Sequence, residues 1–190
     1  MNSSGIQTRL SHAQWSLKPQ DLAMAFKLVC LAGQKLPYAA LASSMHMSPF
    51  EAHACLARLT SARLVVVVND APAVVLAAFR PMVLVGAPYF FPGVSGGVTM
   101  GLPTSYGVEP LKSKLQLLTD LPPVWPVADG TDGLVSLVRG TALLPLYPKL
   151  PLAAAGDTPF YELLALFDAL RIGQAREREM ARQFLEERLS

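Results

Sequence analysis

The chain holds few groups suited to covalent chemistry, and their spacing does not organise them for it. The histidines are His12, His46 and His53, and the cysteines are Cys30 and Cys55. A hydrolytic triad needs a Ser or Cys nucleophile, a His base and an orienting carboxylate. None of the three histidines stands beside a nucleophile signature such as Gly-x-Ser-x-Gly. Both cysteines fall on inward faces of expected helices, with no Cys-x-x-Cys and no Cys/His cluster, so they read as small buried hydrophobes and no metal is expected. Asp129 and Asp132 sit in turn signals and the other acids mostly decorate helices, which does not provide paired acids. Gly96-Gly97 belongs to no Gly-x-Gly-x-x-Gly and precedes no Gly-Lys-Ser/Thr, so no nucleotide cofactor is expected. The expectation is a binding protein and not an enzyme.

Binding chemistry concentrates between Pro37 and Val65. Leu41 and Ala42 share one face of a short helix beginning near Pro37. Met45, His46 and Met47 interrupt that pattern as a tight turn would. Ser48 is a good N-cap and Pro49 follows at the first helical position. Ala52, Cys55, Leu56 and Leu59 then recur at helical spacing, and Leu64 opens an apolar run. Two short helices, a tight turn and a following β-run describe a winged helix-turn-helix. The order Leu-Ala, apolar-x-apolar-Ser, a helix with Leu at both inner turns and then Leu-Val resembles the MarR-like winged-helix superfamily. Where such motifs carry Gly, in the turn and after the second helix, this chain has His46 and Arg63. Both positions tend to need positive φ, which His tolerates better than Arg.

A winged helix of this kind implies double-stranded DNA as partner, read in the major groove. Ser48 and the helix N-terminus would hold a phosphate. Phe50 and Ala54 would meet thymine methyls, Glu51 would accept from cytosine, and His53 or Arg58 would reach guanine or phosphate. Lys35, Tyr38 and Pro49 complete the expected contact set, with Lys35 and Arg58 on phosphates. Phe50 equally suits a contact with the C-terminal region, and His53 an exposed position without a role.

The elements that must position this stretch follow from composition. At 190 residues, 52% of them hydrophobic and 16% charged, the chain is globular with ample length for a core. The net charge is only +2, so DNA affinity must come from a local patch or a dimer. From Leu64 to Phe91 the chain is strongly apolar, but Asn69, Asp70, Arg80 and three prolines leave no clean run of the roughly 18–20 residues a spanning helix needs. No signal-peptide layout opens the chain, and a cytoplasmic protein is expected. Residues 1–16 read as a polar lead-in. A first helix opens at Lys18-Pro19, buries Leu22, Ala25, Phe26 and Val29, and ends at Gly33, with Lys27 and Lys35 facing water. Leu64 to Val68 reads as a strand. Beyond it either a second strand returns through residues 73–77, or a helix runs from Pro72 to about Val85 with a break at Pro81; Asp70 and Pro72 together favour the helix.

Downstream, residues 81–110 read as an ordered irregular segment lying on the body, and Leu111 to Leu118 as a short strand or a helical turn pair. Leu121 to Pro126 must be extended. Trp125 is expected to pin that arm to the core, the alternative being a stacking platform. Leu134 to Leu146 reads as a strand carrying Arg139, whose charge would suit a carboxylate partner. Thr158 and Pro159 open a helix lined by Phe160, Leu163, Leu164, Phe167 and Leu170. Gly173 breaks it, and a charged helix follows whose apolar edge is Met180, Phe184 and Leu185. The strings Leu121-Pro122-Pro123-Val124-Trp125-Pro126, Pro145-Leu146-Tyr147-Pro148 and residues 160–171 resemble a group of bacterial proteins known only as helix-turn-helix or MarR-type regulators.

The expected architecture is α+β: a winged helix-turn-helix domain over 15–80, then a mixed α/β C-terminal region over 81–190 ending in two helices. The expected function is a DNA-binding transcriptional repressor of its own operon, a homodimer joined through Met180, Phe184 and Leu185. The other reading is an adaptor or antitoxin-like neutraliser that binds a partner protein with the same scaffold.

Overall fold

The computed structural model describes residues 15–115, 121–127 and 136–190. His12 and the lead-in, the end of the 111–118 segment, the turn signals at Asp129 and Asp132 and the first residues of the 134–146 segment lie outside the described residues. The architecture is α+β.

Three helices come first: α1 (Pro19–Leu31), α2 (Tyr38–Ser44) and α3 (Pro49–Ser61). Proline opens α1 and α3, where a missing N–H costs nothing. Ser48 Oγ caps α3 by accepting from the Glu51 N–H at 3.1 Å. The Asp21 carboxylate reaches back to the Lys18 N–H at 2.8 Å and closes the start of α1. His46 takes φ 49° between α2 and α3, and Arg63 takes φ 59° after α3, the left-handed backbone expected at both places.

The next stretch departs from the helix favoured from Pro72. β1 (Val65–Val68) returns as β2 (Ala71–Val74), antiparallel, with Val65 opposite Val74 and Val68 opposite Ala71. Asn69 and Asp70 both adopt positive φ, 51° and 60°, which is the two-residue hairpin turn that Asn and Asp tolerate. Pro72 is accommodated because a two-stranded sheet consists of edges. The helix begins later, as α4 (Leu76–Pro81), and continues through a π-helical turn at Met82–Gly86 into α5 (Ala87–Phe90). Proline removes a helical donor, and the widened turn lies between Pro81 and Pro88; the Ala87 N–H bonds five residues back to Met82 O.

The C-terminal half contains β3 (Ser95–Pro103), α6 (Leu111–Leu115), β4 (Pro123–Pro126), β5 (Val138–Leu143), α7 (Leu150–Ala155), α8 (Thr158–Ile172) and α9 (Ala175–Arg188). β3 pairs antiparallel with β4 and β5, which pair parallel with each other, so the three strands close on themselves. Within these strands two close approaches demand glycine: a Cβ on Gly101 would lie 2.2 Å from Trp125 O, and one on Gly140 2.1 Å from Pro122 O. Trp125 is fully buried, as an anchor and not as a platform, and its Nε1–H donates to Asp168 Oδ2 at 2.7 Å. Thr104 Oγ1 donates to the same oxygen at 2.6 Å, and Arg171 holds Asp168 Oδ1. Arg139 is exposed and has no carboxylate partner among the described residues.

Two further positions differ from expectation. Asp157, not Thr158, caps α8, accepting from the Phe160 N–H at 3.1 Å. Its other oxygen takes the Lys27 ammonium at 2.6 Å. Lys27 is therefore buried and not in water, because α8 packs over α1 and supplies a carboxylate where the stripe pattern of α1 alone predicts solvent. One apolar cluster extends from Leu22 to Leu189, across the boundary expected near residue 80. Phe26 packs between Phe79 and Phe167, with ring centroids 5.3 and 5.8 Å away. Leu185 is fully buried, and Met180 and Phe184 pack against the same cluster. That edge of α9 packs within the chain, with Met180 and Phe184 left half-buried. Among the described residues no helix is long and apolar enough to cross a membrane.

Candidate nucleic-acid interface

The helical stripe of α3 buries Ala52, Cys55, Leu56 and Leu59 against α1 and α2. The opposite side presents Ser48, Pro49, Phe50 and His53, all exposed, with Ala54 half-buried beside them. Phe50 is 81% exposed, and no ring contact joins it to a C-terminal element among the described residues. Tyr38, at the first position of α2, is exposed, its ring centroid 6.4 Å from that of His53. The hairpin of β1 and β2 flanks α3, and together they form a groove of about 490 Å³. Trp15, Tyr38, His53, Thr60, Val67 and Pro72 are among its lining residues. Trp15, Thr60, Val67 and Pro72 carry no motif signal; a groove between a helix and a hairpin exists only once both are packed.

Two expected contact residues are elsewhere. Arg58 turns inward, its Nε and Nη2 donating to the two oxygens of Asp21, each at 2.7 Å, while Nη2 also reaches Glu51 Oε1 at 3.0 Å. Asp21 is fully buried, and the Arg58 side chain is 12% exposed. A guanidinium held by two carboxylates is not free to neutralise phosphate, so in this structure Arg58 ties α3 to α1 in place of the phosphate contact expected of it. Glu51 is likewise occupied, accepting from the Gln20 amide at 3.0 Å and from Arg58, and it does not project over a groove to accept from a base. The Gln20 amide, with Arg58 behind it, holds the Glu51 carboxyl below its ordinary pKa. The Asp21 carboxylate pushes the Arg58 guanidinium further up. Burial, reinforced by Asp21, raises the Cys55 thiol well above the ordinary range. The i, i+3 and i, i+7 relations of Arg58 to Cys55 and Glu51 are visible in the sequence; its partner Asp21, 37 residues away, is not.

The positive charge near this face is peripheral. Lys35, in the loop before α2, is exposed and 3.6 Å from the exposed Asp70 at the hairpin tip. Arg63 is exposed immediately after α3, and His46 is exposed in the turn before it. An exposed ion pair such as Lys35–Asp70 contributes little and separates readily when a stronger partner approaches. The C-terminal region also touches the turn directly: Tyr147 Oη donates to Met45 O at 2.8 Å.

No family model, no curated protein and no solved structure matches the chain.

Proposed function

We propose that residues 19–74 form a winged helix-turn-helix and that the chain binds double-stranded DNA as a transcriptional repressor of its own operon. The observation that carries this reading is the order α1, α2, tight turn, α3, hairpin, with the stripe of α3 buried and its N-terminal outer side left open. Tyr38, Ser48, Pro49, Phe50, His53 and Ala54 form the open side, and Lys35 and Arg63 flank it. In this role Phe50 and Ala54 meet thymine methyls, His53 reaches a base edge, and the two flanking cations meet phosphates.

Two cations per protomer give a salt slope of about −2, or about −4 for a homodimer on two half-sites. That is shallow for a specific regulator and makes pairing of protomers part of the reading. The test is a shift assay of the purified protein against its own promoter region at several salt concentrations. Retarded, competitor-resistant complexes with a shallow slope support the reading; no shift at low salt overturns it.

A second reading is favoured by one observation: the outer side of α3 carries no free lysine or arginine, while Trp15, Tyr38, Phe50 and Val67 are exposed on or beside it. Exposed aromatics without charge suit an apolar protein surface, as in an adaptor or antitoxin-like neutraliser. Absence of heparin retention, with co-purification of one defined partner lost on Phe50→Ala, would select it.

A further inference from the structure

Away from α3, a groove of about 510 Å³ lies between α9 and the π-helical turn and α5. Leu84, Val85, Pro88 and Tyr89 line it on one side and Arg178 and Arg182 on the other, with Leu170 and Ala175 also among its lining residues. Arg178 and Arg182 stand four residues apart, one helical turn, on the same face of α9. Neither has a carboxylate within ion-pair distance among the described residues, although α9 is otherwise dense in acids. The one acid on the rim, Glu179, accepts from the Gln183 amide at 3.2 Å. The third arginine of the groove, Arg171, is neutralised by Asp168 at 2.5 Å. Two like charges at this spacing repel each other, and an anion between them would relieve that repulsion.

The opposite wall is largely apolar. Arg182 Nη1 donates to the Leu84 carbonyl of the π turn at 3.1 Å, which holds that guanidinium at the groove edge. Such turns recur at binding sites because they displace the backbone from regular helix. Val85 is 61% exposed and Tyr89 83% exposed, an apolar and an aromatic surface left uncovered beside two unpaired cations.

We propose that this groove binds a small amphipathic anion, a molecule with a carboxylate or phosphate at one end and a planar apolar body at the other. The anionic end sits between Arg178 and Arg182, where guanidinium forks match both headgroups. The apolar body lies against Val85 and the Tyr89 ring. The site is separate from α3 and does not depend on the DNA-binding reading.

The experiment is an NMR titration of the intact protein with phenyl phosphate, benzoate, inorganic phosphate and benzyl alcohol. Phenyl phosphate or benzoate should give saturable shifts at Leu84, Val85, Tyr89, Arg178 and Arg182, and the tighter of the two identifies the headgroup. Benzyl alcohol should give none, and inorganic phosphate should bind more weakly. Arg178→Ala and Arg182→Ala should each weaken binding about tenfold or more. Tyr89→Ala should weaken phenyl phosphate and leave inorganic phosphate unchanged, which a merely structural role would not produce. All three variants should melt close to the parent, and Arg182→Lys serves as the conservative control. The proposal is overturned by the absence of saturation at millimolar ligand, or by phenyl phosphate and inorganic phosphate binding alike. It is also overturned if Arg178→Ala and Arg182→Ala abolish retention of duplex DNA while neither small anion binds, since the cations would then belong to a nucleic-acid surface.

Discussion

The Arg58 guanidinium on α3 is held by both oxygens of the fully buried Asp21 carboxylate on α1, with each contact 2.7 Å. The same carboxylate receives the Lys18 N–H, so one side chain both starts α1 and fastens α3 to it. Removing one member of a buried pair strands the other. Arg58→Ala should therefore lower unfolding free energy by about 3–5 kcal/mol. Asp21→Asn keeps an acceptor for Lys18 and should cost less than Asp21→Ala. Urea melts measure both. A parental midpoint for Arg58→Ala would mean that the pair does not hold the helices together.

The charge argument predicts which residues set the salt dependence of DNA binding. Lys35→Ala and Arg63→Ala should each reduce the slope by about 0.9, because each removes one phosphate contact. Arg58→Gln, in whatever fraction folds, should leave the slope where it was, because that charge is already taken up by Asp21 and Glu51. Binding measured between low and moderate salt distinguishes the two patterns, and an Arg58-dependent slope would place that side chain in the groove after all.

Two positions on opposite sides of α3 should respond in opposite ways. Leu56 is 6% exposed and belongs to the core, so Leu56→Ala should cost about 2–5 kcal/mol. Phe50 is open to solvent, so Phe50→Ala should change stability by no more than about 0.5 kcal/mol. Its effect should be seen in binding instead. Thermal melts of the pair test the facing of α3 independently of any ligand.

The three-stranded closure leaves no room for added side-chain atoms at its close approaches. A methyl group at Gly140 meets the Pro122 carbonyl oxygen and the Val124 side chain, neither able to retreat without parting β4 from β5. Gly140→Ala should abolish a cooperative melt or lower its midpoint severely. Trp125→Phe keeps most of the ring and removes the Nε1–H that Asp168 accepts, for a loss of about 1–3 kcal/mol. Near-ultraviolet circular dichroism reports both changes.

Thiol chemistry gives a prediction in pH. Burial, with Asp157 nearby, pushes the Cys30 thiol from 9.0 to about 11. A folded-state value above the unfolded one means that the folded protein holds the proton more tightly. The associated stability is fully present below about pH 9 and is lost as pH rises through about 11. Comparison of the parent with Cys30→Ala over that interval isolates the effect from tyrosines and lysines that titrate alongside. Cys55, fully buried, should resist thiol reagents for as long as the protein is folded, and rapid labelling at pH 8 would contradict its placement.

Local signals determined much of the N-terminal half. Ser48-Pro49 and Lys18-Pro19 start helices because capping and proline geometry act within one turn, and the stripe Ala52, Cys55, Leu56 and Leu59 buries as its spacing requires. His46 and Arg63 take left-handed backbone because the turns they occupy need it whichever residue is present. The Asn69-Asp70 pair was ambiguous for a physical reason: the same side chains that cap helices also tolerate the two positive φ angles of a tight hairpin. Tertiary structure decided what depends on residues distant in the chain. Lys27 faces inward because Asp157 awaits it 130 residues later, and Arg58 faces inward because the packing of α1 against α3 brings the buried Asp21 carboxylate to it. The charge pattern of a single helix gives the direction of each side chain but not the charge it will meet. Pairing energies belong to the packed fold, so the sequence located α3 and its outer side, while only the assembled molecule showed which of its charges remain free.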